Sequence, residues 1–222
     1  MPELPEVELV AKSLNKLVSK RLILTAELHR PRLAPDTNPK DFSDTLKNTT
    51  INFVHRRGKH ILMDLDSEKT LLVHLRMTGR FMLLPIERDL PKHSHAVFYF
   101  SDETRLVFQD QRHFGLMKLL ETKTLFETKE LSQLAPEPFS DEFSLKYFKQ
   151  VLQTSKRNLK EFLLDQTKVC GLGNIYASEA MFLAKVNPQI QANEVSAKKA
   201  GVLYQYFGQF FDKQSKNLLS KS

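Results

Sequence analysis

Cysteine is almost absent from this 222-residue chain: Cys170 stands alone, so neither an internal disulfide nor a cysteine-rich zinc site can form. Glycine is sparse as well, with 7 residues against 10 prolines, and no apolar run approaches 18 residues. These shortages exclude collagen-like and low-complexity architectures and any membrane-spanning helix. The first residues, Met1-Pro2-Glu3-Leu4-Pro5-Glu6, are acidic and lack the apolar core of a secretory signal, so a cytoplasmic protein is expected. What is present is a globular balance, 41% hydrophobic and 27% charged residues, enough for one large or two small domains. The net charge is +7, and after Phe139 there are 12 basic against 7 acidic residues. A basic excess in the last third points to a polyanionic partner.

The periodicity changes twice along the chain. Pro5, Glu6 and Glu8 suit the first turn of a helix, and Val7, Val10, Leu14, Leu17 and Val18 repeat at helical spacing, with an end expected near Lys20. From Ile51 to Glu121 come short β-prone runs: Ile51–Val54, Ile61–Leu65, Leu71–Leu75, Phe81–Leu84, Val97–Phe100, Arg105–Phe108 and Leu116–Leu120. Turn signals such as Asp66-Ser67-Glu68 and Ser101-Asp102-Glu103 separate them, as in an antiparallel sandwich or barrel. Residues 131–141, with two prolines, read as a connector, and beyond it helices are expected at Phe143–Leu152, Asn158–Leu164, Ile175–Ala184 and about Ser196–Leu218.

Several segments carry chemistry. If Met1 is removed, Pro2 presents a secondary amine with a pKa of about 8 rather than the lysine value of about 10.4, and can attack an aldehyde-like carbon to give an iminium. Glu3 and Glu6 lie close by as carboxylates that could handle protons. The simpler reading of the same residues is a Pro/Glu helix start. Arg56-Arg57-Gly58-Lys59-His60 falls between strands, with cations expected to project from a hairpin. Asp110-Gln111-Arg112-His113-Phe114-Gly115 combines a guanidinium and an aromatic on a loop, suited to a wedge in a base stack or to a core contact. Met77 reads as packing. Lys168-Val169-Cys170-Gly171-Leu172-Gly173-Asn174 precedes a helix whose N–H groups would face a phosphate, and Lys156, Arg157 and Lys160 form either a solvated face or a backbone-binding rim.

Four ordered segments together resemble the formamidopyrimidine-DNA glycosylase and endonuclease VIII family of base-excision repair enzymes. They are Met1-Pro2-Glu3-Leu4-Pro5-Glu6-Val7-Glu8, Arg112-His113-Phe114-Gly115, Leu134-Ala135-Pro136-Glu137-Pro138, and Gly171-Leu172-Gly173-Asn174-Ile175-Tyr176-Ala177-Ser178-Glu179. The resemblance implies an α+β fold. Residues 1–130 would form a catalytic antiparallel β-sandwich flanked by helices, 131–141 a linker, and 142–222 a helical helix–two-turn–helix domain. It implies a bifunctional glycosylase and abasic-site lyase that removes oxidised or ring-opened purines from damaged double-stranded DNA. Such a protein would act as a monomer without a cofactor, in the bacterial cytoplasm at the nucleoid.

By the same resemblance the catalytic set is Pro2, Glu3, Glu6 and Lys59, and the DNA-binding set is Met77, His93, Arg112, Phe114, Lys156, Gly173 and Asn174. Met77, Arg112 and Phe114 correspond to the residues that fill the gap left by a flipped nucleotide, and their identity is closer to the formamidopyrimidine branch. The sequence has no four-cysteine zinc finger and no lesion-covering loop, so no metal is expected, and the DNA grip is expected to rest on fewer phosphate contacts. A weak damaged-DNA binder, an abasic-site lyase of altered specificity and an RNA-associated protein are the alternatives; the last leaves the Pro2-Glu3 start unexplained.

Overall fold

The structure, a computed structural model, describes residues 1–219; the last three residues of the segment expected to run to Ser222 lie outside the described residues. The chain forms two compact units, one of Met1–Pro2 and Val10–Thr128, the other of Glu3–Leu9 and residues from Lys129 onward. The first helix, α1 (Leu4–Val18), is therefore divided between them rather than lying wholly in the N-terminal unit. Val7, Ala11, Leu14 and Val18 are its buried stripe, whereas Leu17 is exposed.

Unit one is built on eight antiparallel strands in the order β5-β7-β6-β1-β2-β3-β4-β8. These are β1 (Leu22–Leu28), β2 (Thr49–Arg57), β3 (His60–Leu65), β4 (Lys69–His74), β5 (Arg80–Pro85), β6 (Ser94–Phe100), β7 (Thr104–Gln109) and β8 (Leu116–Glu121). The β1–β2 link is only Leu22↔Thr50 and Ile23↔Thr49, so the strands fall into two four-stranded halves joined by a narrow seam. Every β-prone run in the sequence matches a strand, with Leu75 falling just past the end of β4. β1 escapes the pattern because a register irregularity between Ile23 and Thr25 breaks its alternation: Ile23, Ala26 and Leu28 are the buried positions. The short helix α2 (Pro39–Leu46) also escapes, having only Phe42 and Leu46 as its buried face; Asn38 caps it, accepting from the Asp41 N–H at 2.8 Å.

Unit two is helical, with α3 (Leu145–Gln153), α4 (Leu159–Leu164), α5 (Asn174–Leu183) and α6 (Ala197–Leu219). Ser144 and Asn158 cap α3 and α4 by accepting from the N–H groups of Tyr147 and Glu161. Phe148, Phe162, Leu172, Ala177, Leu203 and Phe207 centre its core, and Leu4 from α1 is fully buried in the same cluster. No helix among the described residues is long and apolar enough to cross a membrane.

Candidate active site and nucleic-acid interface

The start of the chain is fastened to the N-terminus of α5. Glu3, 2% exposed, accepts hydrogen bonds from the N–H groups of Gly173 (2.7 Å), Ile175 (2.9 Å) and Tyr176 (3.3 Å). An ionised carboxylate accepts without donating, and the positive end of a helix dipole suits it. This corrects the expectation that these N–H groups face a phosphate: the anion at α5 is supplied from within the chain, and Gly173 spends its N–H on Glu3. Asn174 remains exposed.

The glycine pair is explained by the same contact. At Gly173, with φ −131 and ψ −167, any residue could adopt the backbone, but a Cβ would sit 2.6 Å from both Cδ and Oε1 of Glu3. Gly171 is needed twice over, with φ +96 and a Cβ position 2.4 Å from Leu4. Glu6 completes the clamp: its Oε2 accepts the Glu3 N–H at 2.9 Å, and its Oε1 accepts the Tyr176 hydroxyl at 2.5 Å. Burial, then that bond to Glu6, pushes the Tyr176 phenol well above its ordinary pKa, so it stays protonated and donating. In the same unit Lys156 is exposed, while Arg157 is engaged by Asp165 at 3.0 Å and Glu161 at 3.8 Å.

A second constellation lies wholly within unit one. Asp110, at the end of β7 and 1% exposed, accepts from the Thr78 hydroxyl (2.5 Å) and the Gly115 N–H (2.7 Å). Burial works to raise its pKa, but these bonds and the N–H groups of Arg112 and His113 outweigh it and hold the carboxyl below its usual range. Thr78 also accepts from the Arg112 N–H at 3.0 Å, tying the turn that carries Met77 to the loop that carries Arg112 and Phe114. The Arg112 guanidinium lies over the Phe114 ring at 5.4 Å, and Met77 and Phe114 are 42% and 56% exposed. An exposed aromatic and methionine on loops this firmly bolted are presented outward, not packed as core. His93, exposed and with φ 63, sets its ring 5.4 Å from that of His113. A cavity of about 340 Å³ beside this loop is lined by Thr78, Arg80, His93, Gln109 and Gln111.

Comparison with known proteins matches residues 1–117 to the N-terminal domain of formamidopyrimidine-DNA glycosylase and residues 134–214 to its H2TH domain. The chain belongs to the formamidopyrimidine-DNA glycosylase family. The formamidopyrimidine-DNA glycosylases of Lactobacillus gasseri and Bacillus subtilis are each 40% identical to it over 205 residues, covering 92% of this chain and 74% of theirs. A structure of the Lactococcus lactis member in complex with abasic-site DNA superposes with a TM-score of 0.91 at 31% identity, over 96% of this chain and 78% of that one.

Lys59 departs from the projecting cation expected of this glycosylase's hairpin. The Gly58-Lys59 turn, with Gly58 at φ 58, leaves Lys59 6% exposed, and its charge is among those acting on His74. His74 pairs with His60 across β3 and β4, their rings 4.9 Å apart edge to face, and its Nδ1 accepts the Arg76 N–H at 3.0 Å. Burial, followed by the charges of His60, Arg76 and Lys59, pushes its pKa down to about 3. A depressed folded-state value means the unfolded chain binds the extra proton first, so this stability is complete above about pH 6.5 and lost below it. Between pH 7 and pH 5 unit one should lose about 2 kcal/mol through His74. His74→Asn keeps an acceptor for Arg76, and its urea midpoint should fall much less over that interval; an equal fall would clear His74 of the effect.

Asp110, Thr78 and Tyr176 are positioning groups to which the sequence alone assigned no role of their own. Asp110 and Tyr176 lie inside quoted segments and Thr78 next to Met77, but nothing in the linear pattern marks their partners.

Proposed function

We infer that this family member is a bifunctional DNA glycosylase and abasic-site lyase of base-excision repair, acting on oxidised or ring-opened purines in duplex DNA. The observation that carries this reading is the buried Glu3 carboxylate on three N–H groups of α5, which immobilises the residue directly after Pro2. The solved Lactococcus lactis relatives bound to abasic-site DNA and to FAPY-dG DNA point to the same substrates.

After loss of Met1, the Pro2 nitrogen attacks C1′ of the flipped nucleotide, and the glycosidic bond breaks with its electron pair leaving on the base. The departing base takes up a proton from solvent, the Pro2 N–H proton passes by way of Glu3 to O4′ as the C1′–O4′ bond breaks, and the positive charge is left on an iminium, which draws electrons and acidifies C2′. Loss of the C2′ proton expels the 3′ phosphate, a second elimination expels the 5′ phosphate, and hydrolysis frees Pro2. Glu3 assists ring opening; the three N–H donors also suit it to balance the iminium charge as a carboxylate. Glu6 holds the Glu3 main chain. Lys59 and Asn174 bind phosphates beside the lesion, His93 and Lys156 grip the backbone further out, and Met77, Arg112 and Phe114 fill the space the nucleotide leaves. The scheme requires no cofactor and one copy of the chain, working at the bacterial nucleoid.

Borohydride trapping on duplexes with an abasic site, 8-oxoguanine or formamidopyrimidine tests the reading. The protein should form a covalent adduct through Pro2, Pro2→Gly should lose most of it, and Glu3→Gln should slow base release about a hundredfold or more while sparing cleavage at a preformed abasic site. Full trapping by protein that retains Met1 would overturn the mechanism.

A further inference from the structure

His95 takes no part in the scheme above, yet it is buried, 7% exposed, directly behind the Arg112–Phe114 loop. Its main chain is pinned, since its carbonyl accepts the N–H groups of His29 (2.8 Å) and Arg30 (3.2 Å). Its Nε2 lies 2.8 Å from the Asp110 carbonyl oxygen and 2.8 Å from Nδ1 of His113. A carbonyl only accepts, so Nε2 of His95 carries the hydrogen, and Nδ1 of His113 must then be the bare, accepting nitrogen. His113 itself has φ 63, in the left-handed region that side chains larger than glycine's occupy uncommonly. Among the described residues, this bond is the hydrogen bond by which a side chain between Arg112 and Phe114 grips the rest of the unit.

We propose that His95 is a positioning residue for the Arg112–Phe114 loop, holding it set for lesion recognition through the bond from its Nε2–H to Nδ1 of His113, a grip that weakens as the pH falls. The inference rests on the wedge role given to Arg112 and Phe114 above. The surroundings set its sign. Arg30 faces His95, Arg112 adjoins His113, the His93 ring stands against His113, and the nearby anion is Asp110, whose carboxylate is already committed to Thr78 and Gly115. Burial, with His113 and Arg30, outweighs the Asp110 carbonyl and lowers the pKa of His95 itself. Its contribution is therefore complete above the ordinary histidine pKa of about 6.5 and is lost as the pH falls below it.

The test uses the full chain and a duplex with 2-aminopurine opposite a tetrahydrofuran abasic analogue, reading the fluorescence change on binding from about pH 8 to pH 5. Wild-type signal should fall on the acid side. His95→Gln, which keeps a donor but has no ring to protonate, should keep its pH 8 signal throughout. His95→Ala should bind this duplex about five- to tenfold more weakly at every pH, with affinity for undamaged duplex unchanged, and His95→Gln, which retains a donor, should recover part of the loss. A His95→Gln profile that follows wild type, or a His95→Ala protein with wild-type affinity, overturns the proposal; should His95→Ala not fold, the His95→Gln profile decides. An Arg112→Ala, Phe114→Ala double variant separates the two ideas. If it keeps the signal, the wedge reading falls and the proposal with it; if it loses the signal while His95→Ala does not, the positioning role alone is refuted.

Discussion

Gly173→Ala should reduce base release by about a hundredfold or more, the scale on which a positioned carboxylate contributes to catalysis. The substitution is a clean probe because alanine tolerates φ −131 and ψ −167, so backbone strain is not introduced. What the new methyl meets is the Glu3 carboxylate, 2.6 Å away at Cδ and Oε1. A flexible carboxylate can swing aside, but only by giving up three N–H bonds at once, each worth about 1.5–3 kcal/mol when made to a charge. Leu4 stays in the core, so the helical unit should still fold with a lowered melting temperature, while the residue after Pro2 loses its fixed position. Kinetics on an 8-oxoguanine duplex, with circular dichroism as the control, check this. Near-normal base release would show that the clamp on Glu3 is dispensable.

Asp110→Ala is expected to cost about 3 kcal/mol of unit-one stability and to abolish discrimination between lesion-containing and intact duplex. The estimate follows from leaving the buried Gly115 N–H and the Thr78 hydroxyl without their acceptor, at about 1–3 kcal/mol apiece. Because Thr78 is also the acceptor for Arg112, both the Met77 turn and the Arg112–Phe114 loop come loose together. Asp110→Asn should be intermediate, since a carboxamide keeps one acceptor oxygen and turns an NH2 toward the other donor. Denaturant unfolding and paired affinity measurements give the answer; a variant that still prefers lesion DNA by the wild-type ratio would show that the two loops hold their shape unaided.

These two residues also show where the sequence was legible. Strands from β2 to β8 and all four helices of unit two follow from local alternation or helical spacing. β1 does not, because a slip in its register moved Ala26 onto the buried face. At the site, the Pro2-Glu3 start and the Gly171–Glu179 segment stand out as motifs because their members are neighbours in the chain. Asp110 and Thr78, 32 residues apart, and Glu6 and Tyr176, 170 apart, acquire their meaning only from long-range pairing. The same blindness misread the α5 N-terminus: spacing shows free N–H groups before a helix, and cannot show that a carboxylate from the opposite end of the sequence already occupies them. Lys59 is a further case, since two residues between strands announce a turn without saying which way its side chain lies.

The division of α1 has a consequence for biosynthesis. Leu4 is among the first residues to leave the ribosome, yet the core that buries it is made of residues from Phe143 to Phe211. At about 5–20 residues per second, roughly ten seconds or more separate the two. Through that interval Glu3 has no α5 to hold it, and the amine-bearing terminus trails as a free end. The helices cannot be made as a separable module either: a fragment beginning at Lys129 would carry an empty slot where Leu4 belongs, at a cost of about 2–5 kcal/mol, and an uncapped α5. The segment encoded first is thus seated last, only after the helices that receive it have been synthesised.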